Sequence, residues 1–257
     1  MATQLLFYSS AAPLSVQRHR NWAVDPDNDF SFARKTNSVP VMVIEFMKAA
    51  AEYSIVFAGD PEKIMPAAIL GVQNDSNLYV DKDGKWSSKY IPAFVRRYPF
   101  VFSSGDDGKT FTLCIDEDYS RVNKEARGNR LFDDKGERTK YLEGVLNFLK
   151  EYQSEHNRTQ AFCKILRELD LLEPMQAQIK LKTGKQVSLT GFKCVSREKL
   201  NALAPEKLAG LAKSGALELI YVHLYSMKNL TEMIERLSKT LGNEDKASVA
   251  SEPAGHA

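Results

Sequence analysis

The sequence predicts an α+β fold with a β-rich N-terminal portion of antiparallel hairpins and a mainly helical C-terminal portion closed by a long terminal helix. Three observations carry this. Up to about residue 135, short apolar runs alternate with turn residues. After Gly136 the apolar residues recur at helical spacing. From Leu217 that spacing continues through Ile220, Leu224, Met227, Leu230, Ile234 and Leu237 to Leu241, as an a/d seam does. The division that follows is one domain over residues 1–242, with a β-rich lobe at 1–138 and a helical lobe carrying one hairpin at 139–242. Residues 243–257 form a tail.

Tyr53 to Phe57 and Ala67 to Val72 are apolar runs of strand length. Leu78 and Val80 lead into Asp81, Asp83 and Gly84 and out through Trp86, the pattern of a hairpin. Phe94, Val95, Tyr98, Phe100, Val101 and Phe102 read as an aromatic strand ended by the Ser103 to Gly108 turn, and Thr110 to Ile115 alternates back. The run Leu131 to Glu137 partly echoes the turn at Asp81 to Gly84, although one short echo does not make a repeat.

The helical part begins at Thr139, an N-cap for Leu142, Val145, Leu146, Leu149 and Tyr152. A second cap at Thr159 precedes Phe162, Ile165, Leu166 and Leu169, so two helices are expected across a polar joint from Ser154 to Arg158. Ile179 and Leu181 alternate into Lys182 to Lys185, and Val187 and Leu189 alternate out as a hairpin continued by Phe192 to Val195. Ser196 caps a short helix through Leu203, and Pro205 opens another that stops near Gly215. The seam after Leu217 favours one long helix. The alternative from the same residues is a strand at Ile220 to Val222, with Ser226 capping a shorter helix. Gly242 ends the helix, and Asn243 to Ala257 is polar enough to be disordered.

Composition narrows the function classes. With 43% hydrophobic and 26% charged residues, the 257-residue chain has the make-up of a folded protein. Lys+Arg 35 against Asp+Glu 33 gives a net charge of +2, too balanced for a broad nucleic-acid footprint, so no nucleic-acid partner is expected. No apolar stretch approaches the roughly 20 residues of a membrane span, and direct membrane insertion is not expected. Arg18 and Arg20 follow the apolar residues of the N-terminus, the reverse of a signal peptide. Cys114, Cys163 and Cys194 are an odd, scattered set that suits a reducing compartment, and the expected location is cytoplasmic.

The familiar catalytic patterns are missing from the text. His19, His156, His223 and His256 lie far apart, so no metal site is expected. In Asp81-Lys82-Asp83-Gly84 the glycine stands fourth where an EF-hand loop needs it sixth, which leaves a solvated turn. Asp116-Glu117-Asp118 reads as a solvated strand end rather than a cation site. There is no phosphate loop, nucleophile elbow or His-Glu-x-x-His helix, hence no expected cofactor and no assigned catalytic residue. The three thiols sit among apolar neighbours as inert core residues, and His223 reads as a hydrogen-bonded, partly buried imidazole.

Two segments carry more chemistry. Arg18-His19-Arg20-Asn21-Trp22 places an imidazole between two guanidiniums and beside an indole, a set that can meet an anion. In Pro92 to Phe100, Arg96 and Arg97 are embedded in the aromatic run and, by strand alternation, point to opposite faces. A guanidinium held there is a fork for a carboxylate or phosphate, or an internal partner for an acid such as Glu45.

These segments resemble the SapC family of bacterial proteins. The resemblance is carried by Pro13-Leu14 with Arg18-His19-Arg20, by Thr36-Asn37-Ser38-Val39-Pro40 with Glu45-Phe46, and by Tyr53-Ser54-Ile55-Val56-Phe57. Leu70-Gly71 and Asn77-Leu78-Tyr79-Val80 extend it. Tyr90 to Phe100 is its most specific stretch. Leu113 to Asp116, Leu131 to Asp133, Thr159 to Phe162, Asp170 to Leu172 and Leu219 to Leu224 also fit, while Ser54 stands where the pattern expects proline. The candidate ligand-binding residues in these segments are Arg18, His19, Asn37, Glu45, Arg96, Arg97 and Tyr98. The resemblance implies a non-catalytic binding or accessory protein of an envelope, surface-layer or nutrient-uptake process. Its implied partners are a protein or peptide, among them an outer-membrane receptor or a flavin-dependent halogenase-like protein. The permease label attached to some members needs spanning helices that this text lacks. The alternative is an enzyme acting on an anionic small molecule or peptide. A homodimer is a second way to cover the terminal seam.

Overall fold

The run Ile55–Ala58 alternates its side chains between two separate cores, which makes it the hub of the molecule. The computed structural model describes residues 6–26, 28–105, 110–180 and 186–237. The expected turn at Lys182 to Lys185, the middle of the Ser103 to Gly108 turn, the Gly242 stop and the tail lie outside the described residues.

In chain order the first half holds β1 (Ala11–Pro13), α1 (Val16–His19), β2 (Ala23–Val24), β3 (Ser38–Pro40), α2 (Phe46–Ala49), β4 (Ile55–Ala58) and β5 (Met65–Ile69). Next come α3 (Ala93–Arg96), β6 (Phe100–Ser104), β7 (Phe111–Asp116), β8 (Val122–Asn123), β9 (Asn129–Arg130) and α4 (Lys140–Glu168). The last are β10 (Leu172–Lys180), β11 (Gln186–Val195), α5 (Arg197–Asn201), α6 (Pro205–Lys213) and α7 (Ala216–Ser226), followed by a helical stretch at 229–237. The fold is α+β: antiparallel sheets dominate the first two-thirds and helices the remainder. The sheets run β1-β7-β6, β10-β11-β4-β5-β3 and β8-β2-β9.

Ile55 and Phe57 on one face of β4 join Phe46, Phe94, Phe162, Leu166 and Ile220 in the largest core. Val56 on the other face joins Ala67, Phe192, Leu230, Met233 and Leu237 in a second. A third gathers Trp22, Phe100, Ile115, Leu131, Leu142 and Leu149. Each Val, Leu, Ile, Phe or Met among them, fully buried, contributes about 1.5 to 3 kcal/mol. Leu230 and Leu237 of the terminal stripe are therefore covered by the chain itself.

Several local readings hold. The hairpin β6–β7 pairs Phe100 with Ile115, and β10–β11 pairs Leu172 with Val195. Thr139 caps α4 by accepting from Leu142 N, and Ser196 caps α5 by accepting from Lys199 N. The echo between Asp81 and Asp133 is conformational. Each carboxylate accepts two backbone N–H groups at 2.8 and 2.9 Å, each turn is closed by one antiparallel bridge, and Gly84 and Gly136 take φ of 79° and 84°.

Two expectations are corrected and a third is refined. The aromatic stretch is not a strand before Phe100, because α3 forms first: Pro92 O accepts from Val95 N and Arg96 N. Helical rotation, not strand alternation, then leaves Arg96 exposed and Arg97 buried. The expected joint at Ser154 to Arg158 is helical, so α4 is one helix of 29 residues. No glycine or proline interrupts those positions, and Thr159 is an interior residue whose Oγ1 donates to Glu155 O. The terminal seam is helical as expected over residues 216–237, with a turn at Met227 and Lys228, and Ile220 to Val222 is not a strand. The helix stops at Ser226 and resumes at 229, since Ser226 Oγ donates to His223 O and accepts from Ile55 N while Ser54 Oγ donates to Ser226 O. Asn229 Nδ2 then donates to Ala50 O and Tyr53 O, both at 2.8 Å. Among the described residues, no helix is long and apolar enough to cross a membrane.

Candidate functional site

Edge strand β3, the β1-β7-β6 sheet and α4 together line an open cleft of about 1270 Å³. Phe7, Phe32, Met65, Phe94, Phe102 and Tyr152 form its apolar walls. Lys35, Asn37, Lys63, His156 and Gln160 supply polar groups, with Asp75 as a single lining acid. Tyr152, His156 and Gln160 step by four along α4 and so occupy one face.

The rest of the lining is set by β3. Asn37 O accepts from Leu70 N and Gly71 N, and Val41 N donates to Pro66 O, so the residues flanking Ser38 and Pro40 bond toward β5. Alternation turns the backbone N–H and C=O of Ser38 to the open edge. A Cβ on Gly71 would lie 2.0 Å from Ser76 O, so only glycine lets the chain close beside Asn37.

The electrostatics of the cleft are cationic. Arg97 is buried, its guanidinium 4.2 Å from the Phe94 ring centre and 5.0 Å from that of Tyr152. Burial, aided by the Arg97 charge, holds the His156 imidazole below its ordinary pKa and therefore neutral at pH 7. The Cys114 thiol, also in the lining, is pushed up by burial and stays protonated. Among the described residues, the side chains of Lys35, Lys63, His156 and Gln160 form no hydrogen bond or ion pair with the protein.

The seven residues singled out from the sequence are distributed as follows. Arg18 pairs with Glu117, and His19 Nε2 lies 2.9 Å from the other oxygen of that carboxylate. The ring of His19, wholly buried, meets Trp22 edge-on at 4.6 Å. Glu45 is buried as well, accepting from Met42 N (2.8 Å), Ala93 N (2.7 Å) and Tyr90 OH (2.6 Å). Arg96 Nε donates to Ile91 O at 3.0 Å, and its guanidinium lies over Phe148. Tyr98 OH donates to Asp116 Oδ2 at 3.0 Å and its ring stacks on Phe32 at 4.2 Å. Asp116 also accepts from Ser9 N and Ser10 N, tying the N-terminal segment to the end of β7. Asn37 lines the cleft, and Arg97 packs against two residues that do.

Sequence reasoning passed over Lys35, Lys63, Tyr152, His156 and Gln160. The signal for three of them was the four-residue step along α4, which the supposed joint at Ser154 to Arg158 concealed. Lys35 and Lys63 carried no signal, because they reach the cleft only through the pairing of β3 with β5.

A protein-family model described as SapC matches residues 14–233. No curated protein and no solved structure matches the chain.

Proposed function

The chain belongs to the SapC family, and on that premise we propose that it is a non-catalytic binding or accessory protein of a bacterial envelope process, surface-layer assembly or nutrient uptake. It works from the cytosol through a protein partner, one extended segment of which lies in the cleft. The observation that supports this best is the set of lining groups, Lys35, Lys63, His156 and Gln160, that have no bonding partner among the described residues. Lys35, Lys63 and Gln160 are exposed and free to meet a guest, and His156, half-buried without an internal partner, is the one member that a fold ordinarily pairs.

The chemistry of that partner follows from the walls. Phenyl rings and Met65 suit apolar side chains, and the lysines suit carboxylates. An extended peptide alternating apolar and acidic residues presents both at once, and Ser38 on the edge strand offers a backbone donor and acceptor for it. The test is fluorescence anisotropy with labelled ten-residue peptides of that alternation and with counterparts carrying Lys for Glu. Acidic peptides should bind, more weakly as salt rises, and Lys35→Glu with Lys63→Glu should reverse the preference. Equal binding of both peptide sets would refute the reading.

A second reading, an enzyme acting on an anionic small molecule or peptide, is favoured by His156 alone. A neutral imidazole beside a fixed cation can accept a proton at pH 7. Turnover lost in His156→Ala with binding retained would select it.

A further inference from the structure

We propose that Cys194, Met175 and Met227 form a site for one soft monovalent metal ion, Cu(I) or Ag(I), remote from the cleft. Cys194 Sγ lies 3.2 Å from Met175 Sδ and 3.9 Å from Met227 Sδ. The three sulfurs come from β11, β10 and the turn after α7, so no spacing in the sequence announces them. Thiolate and thioether together are the ligand set that selects Cu(I) over harder cations.

The two separations from Cys194 are close to what such an ion needs. Three sulfurs around one metal at about 2.3 Å stand about 4 Å apart. The Cys194 to Met227 separation already matches. Met175 must withdraw by about 0.8 Å on the same arithmetic. It can do so, because it is an unbranched side chain on edge strand β10, beside the register irregularity between Met175 and Ala177, and is 37% exposed. That exposure also provides the way in, since Cys194 itself is only 5% exposed.

Charge selects the valence. Cys194 belongs to the apolar core that holds Phe192, Leu230 and Met233, and burial, joined by the Glu173 charge, raises its thiol pKa to about 12. When the ion enters, the S–H bond breaks, the proton leaves to solvent, and the sulfur lone pair forms the bond to the metal. Thiolate and monovalent ion sum to zero, which an apolar pocket tolerates. A divalent ion would leave one further positive charge in the pocket, since the carboxylate of Glu173, opposite Cys194 in the β10–β11 register, is exposed to solvent. His223, the nearby imidazole that could otherwise compete as a ligand, is already bonded through both nitrogens, to Val195 N and Ile55 O.

The test is anaerobic titration with Cu(I) against the chelator bicinchoninate, using Cys114→Ser/Cys163→Ser protein so that Cys194 is the sole thiol. One equivalent should bind. Met175→Leu and Met227→Leu, which keep volume and apolarity, should each weaken binding by tenfold or more, and Cys194→Ser should abolish it. No uptake against the chelator overturns the site. So does undiminished affinity in the Met175→Leu/Met227→Leu double variant, which would leave a thiol acting alone. X-ray absorption on the wild-type protein gives an answer independent of the variants' folding. Three sulfur neighbours support the site, and a nitrogen or oxygen shell refutes it.

Discussion

His223 and His156 are both kept neutral at pH 7 by burial, yet the regions around them are opposites. His223 Nδ1 donates to Ile55 O at 2.8 Å and its Nε2 accepts from Val195 N at 3.1 Å, clamping α7 onto β4 and β11. His156 faces the cleft with neither nitrogen bonded among the described residues. His223 has met both of its polar demands internally, so altering it should cost stability. The second has left its demands open, so altering it should cost binding and little else. Perturbed titration alone does not separate joint from site, and hydrogen-bond accounting does.

The sharpest way to break this contrast is His223→Leu. The change orphans one buried acceptor and one buried donor, with an expected loss of about 4 kcal/mol in urea denaturation. A loss below about 1 kcal/mol would mean the clamp is dispensable.

Acid probes the same joint without mutation. The His223 pKa falls from 6.5 to about 4 on folding, so between those values the unfolded chain binds the proton and the folded chain does not. Stability is therefore full above pH 6.5 and falls as the pH drops toward 4, by up to about 3 kcal/mol. That slope should shrink in His223→Gln.

Thr159 and Gln160 are adjacent on α4 and repeat the contrast on a smaller scale. Thr159 Oγ1 accepts from the buried Val43 N at 3.0 Å, and Thr159→Val should cost about 2 kcal/mol by leaving that N–H unmet. Gln160→Ala, one position on, should change stability by less than about 0.5 kcal/mol.

The smallest effects on stability belong to the cleft. His156→Gln, Lys35→Ala and Lys63→Ala should each leave the melting curve within about 0.5 kcal/mol of wild type while weakening the acidic peptide several-fold. Because the His156 pKa is lowered, its charge appears only below about pH 6.5. Affinity for acidic peptides should rise as the pH falls through that range, and the rise should vanish in His156→Gln.

The hairpins and the caps at Thr139 and Ser196 were legible because each depends on nearby residues, and His223 was legible as buried from its place beside the apolar stripe of its own helix, although its partners Ile55 and Val195 were not. The aromatic stretch misled because Phe94 and Val95 have strand propensity, while Pro92 and the carboxylate of Glu45 on Ala93 N fix a helical turn there. The terminal helix was legible from its period, which runs intact across Met227 and Lys228, but the turn there was not, since Ile55 N and Ser54, 171 and 172 residues away, engage Ser226. The cleft was illegible for the same reason: Lys35, Lys63 and His156 meet only after β3 pairs with β5 and α4 packs beside them.

The continuity of α4 has a mechanical consequence. At 29 residues it is about 43 Å long. Leu142 and Leu149 anchor its first half in the core around Trp22, and Phe162 and Leu166 anchor its second half in the core around Phe57. A joint at residues 154–158 would have let those two masses swing like jaws. A rod pinned at both ends works as a spacer that holds the two cores apart on either side of His156. Under the proposed function such a spacer would work as a gauge does: a strand of the right thickness would enter with little ordering still to be done, and a thicker one would be refused.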